Sequence, residues 1–138
     1  MATTIAPSGQ AVSPDWSRLV ADSLKQYGAW HTHKKLNEAK QSYPNDLPLR
    51  GYCEIVRNMI IRDFLDHPKG LNAVPKLSSE FLTDFDRFNL SAQEGFLVSL
   101  IDGRLDLQKL LMLSPFDAFT TLFNLSKMHH EKAITLPQ

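Results

Sequence analysis

Apolar residues recur at three- and four-residue intervals along most of this chain, the repeat that lines up side chains on one face of an α-helix. Trp16, Leu19, Val20, Leu24 and Tyr27 form the first such stripe. Ser13, Pro14 and Asp15 precede it as a cap, a first-position proline and an acid where the macrodipole favours one. Gly28 interrupts the pattern. Residues 29–41 are good helix material with few apolar groups, chiefly Trp30, Leu36 and Ala39, which predicts a mostly solvated helix or arm. Pro44 and Pro48 mark a loop and the best domain boundary. Tyr52, Ile55, Val56, Met59, Ile60 and Phe64 then predict a strongly amphipathic helix over 49–66, with Arg50, Arg57 and Arg62 on or beside its polar face.

The best specified stretch is 90–103. Ser91 and Glu94 have capping-box spacing, and Asp102-Gly103 has the composition of a helix stop. Between them Phe96, Leu97, Leu100 and Ile101, widened by Val98, predict a helix buried on most sides. Before it, Leu77-Ser78-Ser79-Glu80 starts a helix expected to carry Phe81, Leu82, Phe85 and Phe88. After it, Asp106 caps 107–113, with Leu107, Leu110, Leu111 and Leu113 expected inward. Ser114-Pro115 opens a last helix from Phe116 to about Met128, whose apolar side is Phe116, Phe119, Leu122, Phe123 and Leu125. Residues 129–132 read as a turn, and the alternation in 133–136 as a short terminal strand.

The pattern therefore predicts an all-α protein in three parts. Residues 1–12 are a disordered lead-in, 13–43 an N-terminal amphipathic helical segment, and 49–138 a helical domain. Within that domain 90–136 form a trihelical, winged-helix-like module closed by a short terminal β element.

Composition narrows the class. A chain of 138 residues, 43% of them hydrophobic, suffices for one core. Fifteen basic against fifteen acidic residues leave no overall field toward nucleic acid or an anionic membrane. Cys53 is the single cysteine, so no intramolecular disulfide forms and a reducing, cytoplasmic setting is expected. The first residues lack the basic and apolar regions of a secretory signal, and no apolar run approaches the roughly 20 residues of a membrane span. No membrane association is expected.

Candidate chemistry is sparse. His31 and His33, and His129 and His130, are the histidine clusters. A metal site needs three or four convergent ligands, and a spacing of two turns imidazoles to different helix faces, so no metal is expected. Cys53 has no base paired with it by motif. Phosphate-cradling glycine loops, paired carboxylates and nucleophile elbows are missing from the sequence. The expectation is a protein with no catalytic residue, no cofactor and no enzymatic function.

Residues 77–136 carry more specific wording. Leu90-Ser91-x-x-Glu94-Gly95-Phe96-x-x-Ser99-x-Ile101-Asp102-Gly103, followed by Leu110 and Leu113-Ser114-Pro115, resembles a helical, winged-helix-like module of bacterial signalling proteins of the myxobacterial type. That module accompanies response-regulator and polarity or motility components. The resemblance implies a role in regulated protein assembly and no catalytic residues.

Two functions follow as expectations. The first is a non-catalytic cytoplasmic interaction or adaptor module that binds a protein partner or a second copy of itself. Trp16, Leu19, Tyr27, Arg50, Arg57 and Arg62 are the contact candidates. The alternative is a winged-helix DNA-binding regulator. From Ser91 onward, however, Glu94, Asp102, Asp106, Asp117 and Glu131 outnumber Arg104, Lys109, Lys127 and Lys132, whereas phosphate binding needs a basic excess.

Overall fold

The computed structural model describes residues 14–137, so the lead-in expected over 1–12 and the cap expected at Ser13 lie outside the described residues. Seven α-helices and one two-stranded sheet are found among them, an all-α architecture as the spacing predicts. The chain divides into two units, one ending at Ile60 and one beginning at Ile61.

In the first unit Asp15 caps α1 (Trp16–Tyr27) by accepting a hydrogen bond from the Arg18 amide. Gly28 ends that helix and immediately precedes α2 (Ala29–Ser42). Its φ of 86° and ψ of 178° fall in a region essentially restricted to glycine. This single residue reverses the chain, and α2 folds back on α1, with the Ser23 and Thr32 hydroxyls 2.7 Å apart. The solvated arm expected over 29–41 is therefore one limb of a hairpin. Thr32 and Leu36 are buried, because a hairpin needs apolar groups on the facing side alone.

Asp46 then starts α3 (Leu47–Leu65), accepting the Leu49 amide with Oδ1 while its Oδ2 accepts the Trp16 indole N–H at 2.9 Å. One carboxylate thus caps a helix and anchors the start of another. Pro48 lies in the first turn of α3, where a missing N–H costs nothing, so the helix starts inside the stretch expected as loop. Leu49, Cys53, Val56 and Ile60 are buried along it, whereas Ile55 and Met59 point outward.

The second unit begins within α3, at Ile61. Its core joins Phe64 and Ala73 to Leu97, Leu107, Leu110, Leu125 and Met128. The terminal strand, β2 (Ile134–Thr135), pairs antiparallel with β1 (Lys76–Leu77), with Lys76 opposite Thr135 and Leu77 opposite Ile134. Lys132, with φ of 67°, turns the chain into β2, and the Ser78 hydroxyl donates to its carbonyl.

The helix expected to carry Phe81 through Phe88 is split. It becomes α4 (Ser79–Thr83) and a 3-10 turn at Phe85–Arg87, because Asp84 leaves the helical region at φ −142°, ψ 61°. Phe81 is buried, but Leu82 and Phe85 are exposed. In α5 (Ala92–Leu100) both halves of the Ser91–Glu94 capping box form. The helix leaves through an extended Ile101 before reaching Gly103. Asp102 then accepts the Arg104 and Leu105 amides, so Asp102-Gly103 forms the following turn and not the stop itself. Only Glu94 and Leu97 are buried within α5, and Phe96 is outward against Phe116, so burial is one-sided.

Asp106 caps α6 (Leu107–Leu113), which turns Leu107 and Leu110 inward but leaves Leu113 exposed. Asp117, not Ser114, caps α7 (Ala118–His130), so His129 and His130 end a helix where a turn was expected. Gly28 and Gly51 separate backbone strain from helix propensity. Gly28→Ala should destabilise the protein by about 1–3 kcal/mol. Gly51→Ala, in a helix with open space at the added Cβ, should stabilise it by roughly 0.5–1 kcal/mol. Urea unfolding of both variants measures the contrast.

Candidate functional site

The hairpin fold leaves a groove of about 510 Å³ along α1 and α2. Trp16, Leu19, Val20 and Tyr27 from α1 and Leu36 from α2 form its apolar walls. Val20 and Leu36 are buried and fix the floor, whereas Tyr27 is 57% exposed at the open end. Tyr27 stacks on His31 at 4.5 Å, so its ring is held against α2. Trp16 closes the other end, 7% exposed, edge-on to Tyr43 at 5.4 Å and anchored by Asp46.

The polar groups of the floor are satisfied internally. Ser23 and Thr32 share a hydroxyl–hydroxyl hydrogen bond, and Thr32 Oγ1 lies 2.8 Å from the Gly28 carbonyl to which it donates. With its hydroxyl bonded, Thr32 is buried at little desolvation cost. His31 and Lys35 are the basic groups that line the groove, and among the described residues no carboxylate lines it.

Of the contact candidates, the fold brings Trp16, Leu19 and Tyr27 into this one groove. It does not add the arginines to it. Arg50 is exposed and donates to the Pro44 carbonyl at 2.7 Å, and Arg57 is half-buried with Nη1 3.4 Å from Glu54. Arg62 is exposed in the other unit. The sequence marks His31 only as half of a histidine pair with His33, and the fold instead places it with Lys35 on the groove. The hairpin was the missing premise, because a solvated arm gives α2 no facing partner.

Cys53 is fully buried in α3, and burial raises its thiol pKa, with the Lys40 charge opposing weakly. That environment disfavours the thiolate a nucleophile needs. No three His, Cys, Asp or Glu side chains converge as metal ligands among the described residues. No helix there is long and apolar enough to cross a membrane.

The second unit holds an ion pair between a buried carboxylate and a partly exposed lysine. Glu94 is 1% exposed, and its Oε1 accepts from Lys127 Nζ at 3.0 Å and from the Ser91 amide at 3.4 Å. Its Oε2 is buried without a hydrogen bond. Glu94 stands at the third position of α5 and Lys127 in α7, two helices on, and only the packing of those helices connects them. Lys127 is 37% exposed, so solvent screens the pair from one side.

Asp117 sits at the α7 N-terminus, where a recognition helix would approach phosphates. At the other end of α7, His129 packs against the Phe64 ring at 5.5 Å. No known family model, no curated protein and no solved structure matches the chain.

Although His129 is exposed, partial desolvation where its ring meets Phe64 lowers its pKa from the ordinary 6.5, with smaller contributions from His67 and His130. The folded state therefore binds this proton less tightly than the unfolded state. The contribution is fully present above about pH 6.5 and is lost as pH falls below it. Melting temperature should drop between pH 7.5 and 5.5, and His129→Gln should flatten that drop, as read by calorimetry at each pH.

Proposed function

We propose that this protein is a non-catalytic interaction module, an adaptor whose first unit docks a protein partner through the α1–α2 groove. One observation carries the reading. Trp16, Leu19 and Tyr27 line an open, preformed apolar groove whose polar floor is already satisfied. An apolar surface of that kind, rimmed by polar residues, is the usual form of a protein interaction site. Its walls are set by a glycine-only turn and by the Asp46 anchor, so little ordering cost remains for the binding step.

The setting we propose is bacterial cytoplasmic signalling, which rests on the resemblance of residues 77–136 to the helical module of myxobacterial-type regulators. The second unit would then be the scaffold for assembly. The winged-helix DNA-binding alternative is disfavoured by the Asp117 carboxylate at the start of α7.

A photo-crosslinking amino acid placed at Tyr27 tests the reading in living cells. A discrete crosslinked protein is expected there, and Leu19→Asp should suppress it. The same probe at exposed Phe85 should give none. Identical crosslinking at both positions would contradict a groove-based role.

A further inference from the structure

We infer that the groove takes an amphipathic helix carrying carboxylates on its flanks. This rests on the reading of the groove as a docking surface and adds the partner's shape and charge.

Shape comes first. The α1 wall uses positions 16, 19, 20, 23 and 27, a straight stripe along nearly the whole helix. From Trp16 to Tyr27 it runs about 16 Å at the helical rise of 1.5 Å per residue. A third helix of about three to four turns laid along two packed helices fills such a trough with side chains spaced at three and four. The floor hydroxyls have no donor to spare, because Ser23 donates to Thr32 and Thr32 donates to the Gly28 carbonyl. What enters deepest is therefore apolar, and any polar group of the partner stays at the rim.

Charge comes second. The rim presents Lys35 and His31 from α2, and no carboxylate among the described residues lines the groove to neutralise them. Lys35 does reach Glu38 at 3.7 Å, but both side chains are more than half exposed, and such a pair contributes little. Lys35 is therefore ready to exchange Glu38 for a carboxylate delivered beside an apolar anchor. Rim charges of this sort act on choice of partner and encounter rate more than on raw affinity.

The probe is a fluorescein-labelled helix of about four turns with leucines at i, i+3, i+4 and i+7 and glutamates on both flanks, alongside a twin with lysine flanks. Anisotropy titration with the full chain at low salt should show the glutamate helix binding about fivefold tighter, the upper range of an exposed pair. Lys35→Glu, an exposed change whose folding circular dichroism checks, should remove or reverse that preference. Leu19→Asp should abolish binding of both helices.

Equal binding of the two helices would overturn the acidic preference and leave the groove standing as a docking surface. Binding of neither, with crosslinking at Tyr27 intact, would overturn the helical partner alone. Loss of the crosslink as well would remove the docking surface itself. Saturable laurate binding without peptide binding, or a sedimenting dimer that Leu19→Asp dissociates, would overturn the inference in favour of a lipid or a second copy.

Discussion

One backbone conformation governs what the first unit offers. Gly28 joins α1 to α2 with no intervening loop, at a positive φ and extended ψ that a Cβ would strain. A longer, ordinary loop would allow the two helices to splay or slide. A single residue fixes their separation and phase, so Trp16, Val20 and Leu36 arrive in one groove with Tyr27 at its mouth. Asp46 completes the arrangement from the far end. It holds the Trp16 indole with the oxygen that the α3 cap leaves over. The groove is thus built by one glycine and one carboxylate, neither of which lines it.

The second unit is stabilised differently. Its core is made of leucines and other apolar residues drawn from five helices, and a two-residue sheet closes it by pairing the approach to α4 with the chain's last described strand. Beside it, the buried Glu94 carboxylate pairs with the partly exposed Lys127 ammonium. Removing Lys127 would leave a buried carboxylate without its cation, so the contact ties α5 to α7 although solvent screens its lysine end. Glu94 thereby has two roles, since the same carboxylate closes the capping box on the Ser91 amide.

Much of the architecture was legible in the order of residues. The stripes at 16–27 and 49–66, the caps at Ser91 and Asp106, and the helical class all follow from periodicity and capping chemistry. What could not be read were features that depend on a partner distant in sequence. Gly28 announces a break, but nothing local says that the next helix returns on the first, and so α2 looked solvated. Phe81, Phe85 and Phe88 suggest one helix until Asp84 divides it. β1 is too short to carry a pattern, and exists only because Lys76 and Leu77 meet β2. The contact candidates divide the same way. Trp16, Leu19 and Tyr27 converge because one helix face carries them, whereas Arg50, Arg57 and Arg62 make separate local arrangements. Lys35 and His31 gain meaning only from the hairpin.

As a docking surface, the α1–α2 groove should be covered by another protein in the cell. Hydroxyl-radical footprinting of the full chain, purified and in its own cells, measures this most directly. Tyr27 and Leu19 are expected to lose reactivity in cells while the exposed Phe85 and Met112 keep theirs. Unchanged reactivity at Tyr27 and Leu19 would contradict it.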